Sequence, residues 1–195
     1  MTIEKKTLRI GVLYENTQMT DLAGLDIIGN MSSQTIDLIS SIEPRSVKYK
    51  DVSTPMEFLY ISSSLEPAWT TPQMWVKPTH TYANAPRDLD MILLGGPDPS
   101  KVHPDSLVFL QEASKQTKVI FTTCTGGMWL AASGVLDGKK ATTNRFFVEK
   151  SKTFWPNVKW QEQRWVVEEG HFEGAEIWTA GGAGCGECKV LNNFW

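Results

Sequence analysis

The sequence lacks the features that mark several large classes of protein. Its 195 residues include only 3 cysteines, an odd number too small for a disulfide framework, which favours a reducing compartment. No apolar run approaches the roughly 18 to 20 residues that span a bilayer. The first ten residues carry charges but no long apolar stretch, unlike a signal peptide. We therefore expect a cytoplasmic protein with no membrane partner.

Neither sign of charge dominates the chain. It has 19 Lys and Arg against 22 Asp and Glu, a formal net charge of −3. A protein that binds nucleic acid needs clustered basic residues to neutralise phosphates, so we expect no nucleic-acid partner. The composition, 41% hydrophobic and 21% charged, is that of an ordinary globular protein. Because the chain has no repeats and no low-complexity linker, residues 1–195 are predicted to form a single domain.

Short apolar segments alternate with helical patterns along the chain. Residues 8–14, 91–94 and 118–122 are rich in apolar and β-branched side chains, which is typical of buried strands. Residues 104–115 and 126–133 have the spacing of helices. Strands that alternate with helices predict an α/β fold in which a mostly parallel sheet is covered on both faces.

Other segments are less regular. Residues 58–61 and 74–76 are predicted as further strands of the alternating pattern, and residues 35–42 as a short helix. Residues 160–182 have the strand-like pattern of a hairpin. Asp21 precedes an apolar stretch, where an aspartate side chain is well suited to cap a helix.

The clearest chemical signal in the sequence is Cys124. It lies where the strand 118–122 runs towards the helix 126–133, and small residues follow it directly. This is the arrangement of a nucleophile elbow, a tight turn that presents a nucleophilic side chain at the carboxyl end of the sheet. A helix N-terminus supplies positive potential and free N–H groups, which favour a thiolate. The alternative is that Cys124 is a small core residue, because free cysteines are often buried.

Four ordered groups of residues carry a resemblance to a known family. They are TDLAG (20–24), DMILLGG (90–96), CTGG (124–127) with GVLDG (134–138) and ATTN (141–144), and IWTAGG (177–182). Through them the chain resembles the ThiJ/PfpI family of class I glutamine amidotransferase-like proteins, and within it the isonitrile-hydratase-like branch. The resemblance covers a core of residues 7–186 and implies a flavodoxin-like three-layer sandwich, often a homodimer, with a mostly parallel central sheet.

The resemblance also implies roles for particular residues. Cys124 matches the nucleophile of the family, and Asp21 matches the acid beside the thiol. The pocket that binds substrate or an oxyanion matches Gly95, Gly96, Thr125 and Gly126. Its donors would be the backbone N–H groups of Gly96 and Thr125, placed where negative charge develops. A small-molecule substrate is implied, with no cofactor and no metal; for Asp21, a plain helix cap remains the alternative.

Some positions depart from the family pattern. Asn144 stands where many relatives have a histidine, so we expect any role of that histidine to be lost. Thr125 follows the nucleophile where the peptidase-like relatives have a histidine. The three histidines of the sequence all lie in unrelated segments, namely His80, His103 and His171. The missing Cys–His pair argues against a protease or a glutaminase triad.

The C-terminal segment departs most strongly from the family pattern. Residues 187–195 are a divergent tail, and Cys188 occupies the position of a family aspartate. The final helix of the fold is therefore expected to be missing or shortened, which would leave the sheet open near Ile177 and Trp178 unless the tail or a second subunit covers it. Cys185 and Cys188 have redox or metal spacing, but a zinc site needs about four ligands and no second pair exists.

Three functions compete at this stage. The leading hypothesis is a cysteine-dependent enzyme that adds water to a small electrophilic carbon, converting an isonitrile into an N-substituted formamide through a Cys124 thioimidate. The second is a glyoxalase- or deglycase-like activity on small aldehydes, and the presence of Asp21 and the absence of a nearby histidine weigh against it. The third is a non-catalytic relative that senses redox state or binds a ligand.

Overall fold

The computed structural model describes residues 5–186 of the chain. Its strands, in chain order, are β1 (Leu8–Leu13), β2 (Met56–Ser62), β3 (Ala68–Thr70), β4 (Met74–Val76), β5 (His80–Thr81), β6 (Met91–Leu94), β7 (Val119–Thr123), β8 (Lys140–Ala141), β9 (Lys159–Trp160), β10 (Trp165–Glu169) and β11 (Glu176–Ala180). Its helices are α1 (Gly24–Gly29), α2 (Ser33–Ile42), α3 (Pro104–Ala113), α4 (Gly126–Ala132) and α5 (Val148–Phe154). Between them lie the 3₁₀ helices Met19–Leu22, Pro44–Tyr49, Pro99–Lys101 and Arg145–Phe147.

A mostly parallel sheet forms the centre of the molecule. Within the described residues its strand order is β10–β11–β7–β6–β1–β2–β5, and only β10 runs antiparallel to its neighbour. The central strand β6 (MILL) is short and wholly apolar, and its neighbour β7 (VIFTT) begins with three apolar residues, because both faces of such a sheet are covered. The carboxyl ends of β1, β6, β7 and β11 therefore meet at one edge, where ligands bind in open α/β sheets.

Two buried clusters lie on opposite faces of this sheet. Successive residues of β6 alternate between them: Ile92 and Leu94 belong to the first cluster and Leu93 to the second. The first cluster also contains Phe109 of α3 and Trp129 of α4, both almost fully buried. Helices thus cover both faces, and the predicted three-layer α/β architecture is confirmed.

Most of the predicted elements are present, with one change of pairing. The strands and helices expected at 8–14, 91–94, 118–122, 104–115 and 126–133 occur within two residues of those bounds. The predicted hairpin is the antiparallel pair β10–β11. Residues 74–76, however, do not join the central sheet. They form β4, which pairs only with β3 in a separate antiparallel hairpin, because the three residues 71–73 between the two strands return the chain at once.

The last described residues follow β11 directly. A helical turn begins at residue 183 and continues to residue 186, where the described part ends. Ile177 and Trp178 are both buried. The expectations for residues 187–195, including the shortened final helix and Cys188, lie outside the described residues, and the single-domain assignment remains a prediction.

Gly126 allows α4 to start directly against the end of β6. A Cβ atom at this position would lie 2.7 Å from the carbonyl oxygen of Leu94 and 2.9 Å from that of Gly95, closer than real Cβ atoms approach backbone. We therefore expect Gly126→Ala to lower the free energy of unfolding by about 1 to 3 kcal/mol, as overpacking does. Chemical denaturation measures this change. Gly182→Ala is the control, because its Cβ meets nothing within 4 Å; equal stability of the two variants would contradict the packing argument.

Candidate active site

Cys124 lies in a strained turn at the carboxyl edge of the sheet. Its φ angle is 53°, in the left-handed region that side chains other than glycine rarely adopt. Its backbone N–H donates to the carbonyl of Ala180 at 2.9 Å, and its carbonyl accepts from Oγ1 of Thr143 at 2.9 Å. Strain of this kind persists only where surrounding contacts hold it, and it is concentrated at functional sites. The predicted elbow geometry is thus present at Cys124.

Asp21 lies beside this thiol and does not cap a helix. The residue is within the 3₁₀ helix Met19–Leu22, whose N-cap is Gln18 and lacks a side-chain cap. The Oδ2 atom of Asp21 accepts a hydrogen bond from the Gly96 N–H at 3.1 Å. Cys124 lies beside the same carboxylate, because a Cβ atom placed on Gly96 would be 2.6 Å from Oδ2 of Asp21 and 3.0 Å from Cβ of Cys124. The capping hypothesis for Asp21 is therefore wrong, because the side chain points across the sheet edge towards Cys124.

Asn144 is a site residue that the sequence analysis missed. Its Nδ2 donates to the sulfur of Cys124 at 3.2 Å, while its Oδ1 accepts from the Phe146 N–H at 3.1 Å, which sets the orientation of the amide. The loss of the histidine therefore leaves a side chain that still contacts the thiol, and a role for Asn144 in the chemistry remains a prediction. The residue type was the signal in the sequence that could have indicated this contact, because an asparagine side chain carries an N–H donor.

The predicted pocket residues all lie close to Cys124 and Asp21, but their hydrogen-bond donors already have partners. The Gly96 N–H donates to Asp21 at 3.1 Å, and the adjacent Thr125 N–H lowers the pKa of the Cys124 thiol. The Thr125 hydroxyl donates to the carbonyl of Pro97 at 2.7 Å. A Cβ at Gly96 would lie 2.6 Å from Oδ2 of Asp21 and 3.0 Å from Cβ of Cys124, so only glycine fits there.

Gly95 and Gly126 serve packing in the same corner. A Cβ at Gly95 would collide with the side chain of Thr17, and one at Gly126 with backbone carbonyls. Gly126 therefore lets α4 approach the end of β6, and Gly95 leaves room for Thr17 and for Leu22 of the 3₁₀ helix that carries Asp21. The role of Gly95, Gly96, Thr125 and Gly126 in binding an oxyanion remains a prediction.

Burial controls the protonation of both reactive side chains. Asp21 is buried, which raises its pKa to about 6, although the Gly96 N–H and the Cys124 thiol act in the opposite direction. Burial also raises the pKa of the Cys124 thiol, and the adjacent negative charge of Asp21 raises it further, against the lowering effects of Asn144 and the Thr125 N–H. The expected resting thiolate is therefore not supported: the favourable end of the short helix α4 is outweighed by burial.

The other candidate ligands lie apart from Cys124. His80 is in β5, His103 precedes α3, and His171 lies between β10 and β11. Cys185 is a free, half-buried thiol that lines a separate cavity of about 280 Å³ with Arg145 and Arg164. The described part of the chain has no cluster of three or more His, Cys, Asp or Glu side chains that could hold a metal ion.

Comparisons with known proteins identify the family of this chain. A model of the DJ-1/PfpI family matches residues 46–183. The chain belongs to the DJ-1/PfpI family, and the resemblance seen in the sequence is confirmed. It is 28% identical over 142 residues to isonitrile hydratase from Pseudomonas putida, an alignment that covers 70% of this chain and 52% of that protein. The chain thus spans about half the length of this curated relative.

Solved structures show the same fold. A ThiJ/PfpI family protein from Pseudomonas syringae matches with a TM-score of 0.72 and 20% identity, over 96% of this chain and 68% of that chain. An AraC family transcriptional regulator from Pseudomonas putida matches with a TM-score of 0.67 and 13% identity, over 95% and 89% of the two chains. The flavodoxin-like fold is therefore shared by proteins of different kinds. Within residues 5–186, none of the helices is both long and apolar enough to cross a membrane.

Burial of the Asp21 carboxylate is expected to cost stability at neutral pH. An unfolded chain releases this proton near the ordinary pKa of 3.8, whereas the folded chain releases it at about 6. Between these values the folded state binds more protons, so its stability falls as the pH rises through the window and the loss is complete above about 6. We expect Asp21→Asn to abolish this dependence and to raise the free energy of unfolding above pH 6 by on the order of 1 to 2 kcal/mol.

Urea denaturation near pH 4 and near pH 7 would measure this difference. The control is Asp51→Asn, which makes the same chemical change at an exposed carboxylate with no ion pair among the described residues. If Asp21→Asn were less stable than the parent protein at neutral pH, the carboxylate would be stabilising and the raised pKa would be wrong.

Asn144 is expected to lower the pKa of the Cys124 thiol through its N–H donor. In Asn144→Asp the side chain keeps an oxygen for the Phe146 N–H but loses the donor and adds a negative charge near the sulfur. We expect the thiol pKa to rise and alkylation of Cys124 by iodoacetamide to slow several-fold at mildly alkaline pH. Peptide mapping would follow Cys124 separately from the other cysteines. Asn157→Asp carries the same change at an exposed site as a control, and unaltered alkylation in Asn144→Asp would exclude this contact.

Proposed function

We propose that this protein is a cysteine-dependent enzyme that hydrates a small isonitrile to an N-substituted formamide. The single observation that carries the proposal is the closeness of Cys124 and the Asp21 carboxylate, which both lie within about 3 Å of the Cβ position of Gly96 at the carboxyl edge of the sheet. A nucleophile held in a strained elbow beside a buried acid is the arrangement that covalent catalysis requires. The sequence similarity to isonitrile hydratase supports the choice of reaction.

The first step of the proposed reaction forms a thioimidate. The sulfur of Cys124 bonds to the terminal carbon of the isonitrile, and the thiol proton passes through Asp21 to that same carbon. Nothing leaves in this step, and the product is R–N=CH–S–Cys124. Because the pKa of the thiol is raised, the proton leaves the sulfur as the new bond forms, with Asp21 as the general base.

The second step releases the formamide. Water bonds to the thioimidate carbon while Asp21 accepts one of its protons, and the C–S bond then breaks. One proton of the water ends on nitrogen and the other returns to sulfur, which gives R–NH–CHO and the free thiol. An acid with a pKa of about 6 is well matched to accepting and returning protons near neutral pH.

The remaining site residues orient this chemistry. The Gly96 N–H binds one oxygen of Asp21 and so fixes the carboxylate against the thiol. The N–H donors of Asn144 and Thr125 meet the sulfur, where they would stabilise negative charge that develops when the C–S bond breaks. We further propose that the protein works in the cytoplasm, as a homodimer, without a cofactor.

A ligand-binding function without turnover is the second candidate. It is favoured by the thiol itself, which is 8% exposed and has a raised pKa, so it is a poor nucleophile unless Asp21 assists it. A glyoxalase- or deglycase-like activity is less well supported, because no hydrogen bond from the three histidines to Cys124 is found within residues 5–186.

Turnover of a small isonitrile tests the proposal directly. We expect the protein to convert tert-butyl isonitrile into N-tert-butylformamide, measured by mass spectrometry, and Cys124→Ala to abolish the conversion. Asp21→Asn should lower kcat by about 100-fold or more, the scale of a lost general base. Because the reaction needs the ionised carboxylate, kcat/KM should rise with pH to a plateau above about 6.

Turnover of methylglyoxal, compared with turnover of the isonitrile, distinguishes the proposed function from the glyoxalase-like and ligand-binding alternatives. Turnover of methylglyoxal but not of the isonitrile would favour the glyoxalase-like function. A parent protein that turns over neither compound, with a folded structure by circular dichroism, would favour ligand binding without catalysis. Isonitrile turnover that survives in Cys124→Ala would exclude the thioimidate mechanism.

A further inference from the structure

A second cavity lies behind the 3₁₀ helix that carries Asp21. It has a volume of about 470 Å³, within the range of small-molecule sites. Its apolar walls come from the ends of β1 and β2, the 3₁₀ helix, α1 and the β3–β4 hairpin, and they include Tyr14, Tyr60, Met19, Leu22, Leu25 and Val76. Neither Cys124 nor Asp21 lines it. It is therefore a different site from the candidate active site.

The cavity contains a hydroxyl group that has no partner. Among the described residues, four buried side-chain oxygens lack a hydrogen bond, and one of them is Oγ1 of Thr70, which lines this cavity. Thr70 is fully buried. A buried hydroxyl without a partner is unfavourable, so a bound polar atom that reaches it would gain free energy.

A carboxylate lies at the exposed side of the same cavity. Asp26 is on α1, lines the cavity and is exposed to solvent. Its carboxylate forms no ion pair or side-chain hydrogen bond within residues 5–186. An unpaired carboxylate in a cavity that two tyrosine rings also line is complementary to an organic cation, which both kinds of group attract.

The two tyrosine rings define the apolar body that fits between these polar groups. Tyr14 and Tyr60 pack edge to face with ring centres 5.9 Å apart, and the Tyr14 hydroxyl already donates to the carbonyl of Val76 at 3.2 Å. The two rings therefore offer aromatic contact to a ligand, and the Tyr14 hydroxyl needs no further hydrogen-bond partner. A flat ring suits such walls better than a flexible chain, because it loses less conformational freedom on binding.

We propose that this cavity binds a small molecule in which an aromatic ring carries a hydroxyl group at one end and an alkylammonium group at the other. The hydroxyl meets Thr70 in the buried part of the cavity, the ring packs between the apolar walls, and the ammonium pairs with Asp26 at the mouth. Binding forms no covalent bond and does not use Cys124.

Three related probes test the site, namely tyramine, phenethylamine without the hydroxyl, and 4-ethylphenol without the ammonium. We expect isothermal titration calorimetry to show saturable binding of tyramine and weaker binding of the other two. Thr70→Val should weaken tyramine about fivefold, the scale of one hydrogen bond, and leave phenethylamine unchanged. Asp26→Asn should weaken both amines several-fold, with less effect in high salt, and leave 4-ethylphenol unchanged.

Two matched variants control for nonspecific effects. Thr117→Val removes another buried, unpartnered hydroxyl that does not line the cavity, and Asp51→Asn removes an exposed carboxylate elsewhere. Neither should change the affinity for any probe, and melting curves by circular dichroism should show that all four variants fold.

Thr70→Val and Asp26→Asn are expected to weaken different sets of probes, and this difference can be tested. The proposal is overturned if none of the probes binds saturably at millimolar concentration, or if tyramine binds equally to the parent protein, Thr70→Val and Asp26→Asn. It is also overturned if a second copy of the chain covers the cavity. In that case sedimentation would show a dimer that Leu25→Glu dissociates, and tyramine would not bind the parent dimer.

Discussion

The candidate site depends on one strained backbone position. Cys124 adopts a φ of 53° because its N–H is bound by Ala180 at the end of β11 and its carbonyl by Thr143 after β8. These partners are distant in the sequence from Cys124, so they meet it only when β11 is paired with β7 in the sheet. The position of the thiol is therefore a property of the assembled sheet, and the strain is offset by contacts that no local peptide could supply.

Burial is the second constraint, and it acts on Asp21 and Cys124 together. Removing both groups from water raises both pKa values, so above a pH of about 6 the pair holds one proton, which remains on sulfur. Such a pair is unfavourable for folding, and perturbed pKa values of this kind are concentrated at functional sites. The raised pKa of the thiol also means that the helix N-terminus alone does not produce a thiolate at Cys124.

The 3₁₀ helix Met19–Leu22 connects two separate regions of the molecule. Asp21 points from it towards Cys124, whereas Met19 and Leu22 line the cavity under the β3–β4 hairpin. The hairpin is tied to the start of this helix, because the Thr71 hydroxyl accepts from the Met19 N–H at 3.1 Å. The placement of the acid therefore depends on a hairpin that contributes no residue to the active site.

The sequence by itself determined the alternating strands and helices, the elbow at Cys124 and the closeness of glycines to it, because hydrophobic spacing and small residues act locally. It did not reveal that residues 74–76 leave the central sheet, since an apolar segment of three residues pairs equally well with either partner. Only the tertiary structure decided that Asp21 faces a thiol instead of capping a helix, and that Asn144 donates to sulfur. Both contacts join segments far apart in the chain, and the burial that shifts their pKa values exists only in the folded protein.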